Sequence, residues 1–299
     1  MTTKKLDADE ADTSVSLVID LLAEQFPRWS SYPIHPLSAS GTDNVLFKLG
    51  DHFVARLPRV EWALDQIEKD RRWLPAFAAK LPIKIPEQLA VGQPSTEYPY
   101  SWSVYRWIEG ETADIDSVPN PDKTAEDLAE FIKALRAIDT TNAPTGNYRG
   151  DPIRLRDATT RKAINEVSNL IDLNLALKIW DETLEAADWG GPPVWFHGDL
   201  MPGNMLFENG GLKAIIDWGV LGTGDPAVDL IVAWFMLPAQ SRPIFRTAMG
   251  VGDDEWLRGR GWALSVAAGY ISHYRHTTLP GVAFCKRALP EILNEVNNG

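Results

Sequence analysis

The chain has almost no cysteine. Cys285 stands alone among 299 residues, so no internal disulfide and no cysteine zinc centre can be built from it. That usage suits a reducing cytoplasm. Positive charge is scarce as well. Lys and Arg number 29 against 41 Asp and Glu, a net charge of -12. Nucleic acid and anionic membranes need a basic face, so the balance argues against both as partners. An acidic balance is compatible with a cationic small molecule, and equally with plain solubility. No run of about 18 apolar residues occurs, so no membrane-spanning helix is expected. The opening "MTTKKLDADEADTS" lacks the apolar stretch of a secretory signal. Residues 1–13 are polar and acidic and read as disordered. Internal repeats, low-complexity segments and a G-x-G-x-x-G loop are missing too.

What is present is ordinary globular composition, 44% hydrophobic and 23% charged, in a chain long enough for two lobes. "SVSLVIDLLAEQF" (14–26) has helical spacing behind a Ser cap. "NVLFKLG" and "HFVARLP" flank Gly50-Asp51 and read as a hairpin. The spacing of Leu64, Ile67, Leu74, Phe77 and Leu81 predicts a helix over 61–80. "LPIKIPEQLAVG" and "SWSVYRWI" read as two further strands. After "EGET" (109–112) the pattern turns helical, with a helix over 124–139 capped by Thr124 and boxed by Asp127. One or two helices are expected over 161–187, and more from 226 onward. Two short strands are expected around "FHGDLMPGNMLF" and "GGLKAIIDWG".

"FHGDLMPGN" (196–204) cannot be a helix interior, because Pro202 and Gly203 interrupt it. It reads as a loop leaving a strand, the usual place for chemistry. Asn204 follows Asp199 by five positions. "MLFENGGLKAII" then folds back on Asn209-Gly210-Gly211 and returns Asp217 to the side of Asn204. A carboxylate and an amide oxygen meeting there suit Mg²⁺, which also takes waters and phosphate oxygens. Asp199 is left to accept a proton from an attacking hydroxyl. Base, metal ligand and metal ligand is the division of labour of phosphoryl transfer. The spacing matches the kinase catalytic loop and its following D-F-G, here His197-Gly198-Asp199, Asn204 and Asp217-Trp218-Gly219.

With "SGTDN", "VARLPR", "YRWIEGE", "WFHGDLMPGNMLF" and "IIDWGVLGTGDPAVDL", the chain resembles the aminoglycoside phosphotransferase family. That kinase-like fold also serves choline, macrolide and other small-molecule kinases. The resemblance implies an α+β, bilobal protein-kinase-like fold with a β-rich N-lobe (1–108) and a mostly helical C-lobe (109–299). It implies transfer of a phosphate from ATP or GTP, with Mg²⁺, to a small-molecule hydroxyl, an aminoglycoside-like cation among the candidates. An antibiotic-resistance role would follow from such an acceptor. Ser40, Gly41, Thr42 and Asn44 would lie against the phosphates. Arg56 takes the place where kinases hold a Lys, with Lys48 as an alternative. Its carboxylate partner would be Glu68 or Asp70. Main-chain groups of Arg106 and Ile108 would meet the adenine.

Position 201, where protein kinases carry a Lys two residues after the catalytic Asp, is Met201 here. The segment after Asp217 leaves no room for an activation loop, and A-P-E is missing, which separates the chain from protein kinases. A non-catalytic nucleotide binder is the rival reading, opposed by the intact Asp199, Asn204 and Asp217. His197 is expected to hold the loop rather than act as the base. Asp225 and Asp229 read as caps of the helix starting near Pro226; the resemblance instead makes Asp229 a buttress of the catalytic loop.

Overall fold

The computed structural model describes residues 11, 13–37, 43–113, 116–144 and 149–295. The expected phosphate contacts at Ser40, Gly41 and Thr42 lie outside them. The chain divides into two compact units, one of Met1–Ala79 with Ile85–Glu109, the other of Lys80–Lys84 with Gly110–Gly299. The short Lys80–Lys84 segment therefore parts from the 1–108 lobe expected. Its backbone explains why: Lys84 N–H donates to the Lys213 carbonyl at 3.2 Å, and Lys84 accepts from Ile215 at 3.0 Å.

The first unit holds helix α1 (Val15–Gln25), strands β1 (Ile34–Pro36), β2 (Asn44–Leu49) and β3 (Phe53–Pro58), helix α2 (Leu64–Ala78), and strands β4 (Gln88–Gly92) and β5 (Trp102–Arg106). Ser14 caps α1 by accepting from Leu17 N at 3.1 Å. The strands form one antiparallel sheet in the order β1-β2-β3-β5-β4. Gly50, at φ +53°, turns β2 into β3. Ile67, Leu74 and Phe77 are buried on α2, as their spacing predicts. One face of α1 packs Val18, Leu21 and Leu22 into the same core as Val45, Phe47, Leu57 and Trp102. The expected disorder of residues 1–13 fails at its end. Thr13 is buried, and Ala11 N–H donates to the Arg59 carbonyl at 2.9 Å.

The second unit is mostly helical: α3 (Pro121–Arg136), α4 (Asp157–Glu166), α5 (Leu173–Glu185), α6 (Val232–Phe235), α7 (Arg242–Met249), α8 (Asp253–Tyr274) and α9 (Pro280–Asn294). Two small antiparallel pairs lie among them. β6 (Val194–Phe196) pairs with β9 (Gly222–Gly224), and β7 (Met205–Glu208) pairs with β8 (Gly211–Ile215). α3 starts three residues before the expected Thr124. Pro121 occupies the first turn, where its missing N–H costs nothing. Thr124 is buried and donates to the Pro119 carbonyl at 2.7 Å. Asp127 pairs with Lys123 instead of closing a capping box. Among the described residues, no helix is long and apolar enough to cross a membrane.

Candidate active site

The 197–204 loop is positioned by the strand pair before it and the hairpin after it. β6 ends at Phe196, and β7 begins at Met205. Asn209 and Gly210, at φ +52° and +80°, form the tight turn between β7 and β8. β8 then brings the chain back: Ile216 N–H donates to the Asn204 carbonyl at 2.9 Å. Asp217 follows at once, in the left-handed region at φ +61°. That conformation is uncommon for a residue with a side chain and concentrates at functional sites.

The loop backbone is clamped from below. Both oxygens of buried Asp229 accept main-chain N–H groups, from His197 at 2.9 Å and Gly198 at 2.7 Å. Asp229 rides on a 3₁₀ turn, Pro226–Ile231. Asp225 caps that turn through Ala227 N at 3.0 Å and is gripped by buried Arg258 at 2.7 Å. Asp225 is thus the cap and Asp229 the buttress. Burial pushes the Asp229 carboxyl up to about 6, and the two amides oppose the rise.

His197 is wholly buried. Burial lowers its pKa to about 4, against the opposing charge of Asp217 and its bond to Ile216. Its Nδ1 accepts from Asp199 N at 3.2 Å, so the proton sits on Nε2, which faces the Ile216 carbonyl at 3.1 Å. With both nitrogens engaged, the ring ties the start of the loop to the strand before Asp217. It is a spacer and not a base.

Asp199 is 29% exposed and so accessible to solvent. Asn204 Nδ2 donates to its Oδ2 at 2.8 Å and to its main-chain carbonyl at 2.9 Å. Both amide hydrogens are then directed at Asp199, which turns the Asn204 oxygen outward as a hard donor. Among the described residues, no group of three His, Cys, Asp or Glu gathers to hold a metal. One amide oxygen and one carboxylate are too few for an all-protein cage. They fit Mg²⁺, which keeps waters and completes its shell with phosphate.

In the first unit the choice between Glu68 and Asp70 is decided. Asp70 is buried and lies 3.4 Å from Arg56 Nη1, whereas Glu68 is exposed and bonds Arg71. Asp70 also accepts from Tyr105 Oη at 2.7 Å. Arg56 donates to Gln66 at 2.6 Å, and the Asn44 amide oxygen turned toward it takes Nε and Nη2 at 3.1 and 2.9 Å. Asn44 therefore braces Arg56. Lys48 pairs with Glu109 at 3.2 Å and lies over the Trp107 ring. The Arg106 N–H is spent on the Glu87 carbonyl at 3.0 Å, which removes it as a donor to a base and leaves that expectation to its carbonyl and to Ile108.

The phosphotransferase enzyme family model, APH, matches residues 34–262, which hold every side chain of the candidate site. The chain belongs to that phosphotransferase family. An aminoglycoside 3'-phosphotransferase from Escherichia coli is 28% identical over 142 residues, 45% of this chain and 52% of that protein. The chain spans about half the length of the curated relatives it matches. Among solved structures, the GDP complex of wild-type aminoglycoside 2'-phosphotransferase-IIIa superposes with a TM-score of 0.74 at 20% identity, over 96% of this chain and 100% of that one. Macrolide 2'-phosphotransferase MphH from Brachybacterium faecium gives 0.61 at 19%, over 93% and 97%. The kinase-like fold of the family, a five-stranded antiparallel sheet and a helical unit, is the fold of this chain.

Several of its structural residues escaped the sequence reading: Gln66 and Tyr105 around Arg56, Arg258 behind Asp225, and Arg149. Arg149 Nη2 stands 3.9 Å from Asp199 Oδ1. No spacing rule links position 149 to 199, because the contact is made across a fold.

Proposed function

We propose that this phosphotransferase moves the γ-phosphate of ATP or GTP to a hydroxyl of a small molecule. The observation that carries the reading is the carboxylate of Asp199 held by Asn204, with Asp217 returned by the β7–β8 hairpin to the next backbone position. Asp199 orients the acceptor hydroxyl and takes its proton. The acceptor oxygen bonds to the γ-phosphorus, the bond from that phosphorus to the β–γ bridging oxygen breaks, and the nucleoside diphosphate leaves. Asn204 and Asp217 would hold Mg²⁺, which when bound neutralises charge on the phosphate oxygens. Arg56, braced by Asp70, Gln66 and Asn44, would hold the phosphates of the nucleotide.

The aminoglycoside and macrolide phosphotransferases among the similar structures support a hydroxylated antibiotic as acceptor. The net charge of -12 favours a cationic one. The test is Mg²⁺-dependent release of ADP or GDP with kanamycin, gentamicin, streptomycin, a macrolide and choline, using wild type and Asp199→Asn. Release stimulated by one class, and reduced on the order of 10²–10⁴-fold in the variant, is expected. Nucleotide binding without stimulated release from any of them would favour a non-catalytic binder.

A further inference from the structure

We propose that Arg149 is a positioning residue for Asp199 and supplies the positive charge that position 201 lacks. This rests on the phosphotransferase reading above. Met201, where the kinase loop has a Lys, is buried and carries no charge. Asp199 nevertheless has a cation beside it. Arg149 reaches to 3.9 Å from Oδ1, while Asn204 bonds Oδ2 at 2.8 Å. The two carboxylate oxygens are thus addressed from two different segments, one by a neutral amide and one by a guanidinium.

The segment that delivers Arg149 is locked in place. Gly150, at φ +72°, lies so close to Phe196 that a Cβ there would come within 2.1 Å of its ring. The Gly150 carbonyl accepts from Asp225 N at 2.7 Å, and a Cβ on Gly224 would fall 2.3 Å from the same carbonyl. Arg149 is therefore fixed to the β6–β9 pair and to the Asp225 cap, the same scaffold that sets the catalytic loop. Its side chain is 12% exposed, which weakens solvent screening of its field. That field also reaches Asp229 and Cys285, where it favours the ionised forms.

At 3.9 Å the contact is one of charge and not a hydrogen bond, so a Lys should replace the Arg. The experiment is a double-mutant cycle of Arg149→Met and Asp199→Asn, with Arg149→Lys as the rescue. It is read by turnover and by urea unfolding. In the wild-type background, Arg149→Met is expected to lower kcat about 10- to 100-fold with the nucleotide KM within about twofold. In the Asp199→Asn background the same change should cost less than about threefold, and Arg149→Lys should recover most of the loss. Equal losses in both backgrounds, or a rise in KM with kcat intact, would overturn the assignment. So would additive unfolding midpoints. A wild type that turns over no acceptor defeats the phosphotransferase reading and the catalytic half of this one. The unfolding cycle then still decides whether the two side chains are paired.

Discussion

Arg56 and the 197–204 loop are held by different kinds of bond. Around Arg56 the braces among the described residues are side chains: Asp70, Gln66 and Asn44, with Tyr105 behind Asp70. The loop is held mainly through its backbone. Asp229 takes two amides, His197 faces the Ile216 carbonyl, and Asn204 reaches the Asp199 carbonyl. A side-chain cluster sets the direction of one long, flexible guanidinium. A backbone clamp sets the path of a whole loop, and so the position of every atom it carries. Damage to the first should act on one group, and damage to the second on the loop as a whole.

The largest break should come at the clamp. Asp229→Ala strands two buried amides, each worth about 1–3 kcal/mol when unsatisfied. Turnover should fall on the order of 10²-fold as the loop shifts. Thermal unfolding and a turnover assay check both, and Asp229→Asn, which keeps one acceptor, should lose less. Next comes the side-chain cluster. Arg56→Met leaves buried Asp70 without its cation and should cost about 3 kcal/mol in urea unfolding, the low end for a broken buried pair. A loss at Arg56 that matched Asp229→Ala in both readouts would erase the contrast.

The pH dependence sharpens the comparison further, because the clamp contains two groups shifted in opposite directions. His197 falls from 6.5 to about 4 on folding. Its contribution to stability is present above 6.5 and is lost as the pH drops toward 4. Asp229 rises from 3.8 to about 6. Its contribution is present below 3.8 and is lost as the pH rises through 6. Between about 4 and 6 the two oppose each other. His197→Asn should therefore leave a stability that declines with rising pH across that window. Denaturant unfolding at several pH values measures it, and an unchanged profile would count against the buried neutral ring. The smallest effect belongs to Glu68→Gln. The Glu68–Arg71 pair is 63% and 65% exposed, so its loss should stay below about 0.5 kcal/mol. A larger cost would reopen the choice between Glu68 and Asp70.

Local signals were legible wherever the chemistry is local. The Ser14 cap, the Gly50 and Asn209-Gly210 turns and the stripe on α2 depend on residues a few positions apart. So does the return of Asp217 to Asn204, since a tight turn leaves a hairpin one way to close. The Thr124 cap was misread because Ser/Thr-x-x-acid is also satisfied inside a helix, and Pro121 three residues earlier is the stronger start. Asp70 and Glu68 were inseparable in sequence. They lie two positions apart on one helix, and only burial distinguishes them.

Sequence alone determined the family, the kinase-like class and the candidate groups for the chemistry, because their spacing along one loop and one hairpin is itself the constraint. Tertiary structure alone decided which groups hold them. Asp229 reaches the loop from 31 and 32 residues away. Arg258 reaches Asp225 from 33, and Arg149 lies beside Asp199 only through the packing of Gly150 on β6 and β9. A contact made across a fold leaves no period in the chain, because its partners are brought together by the burial of everything between them.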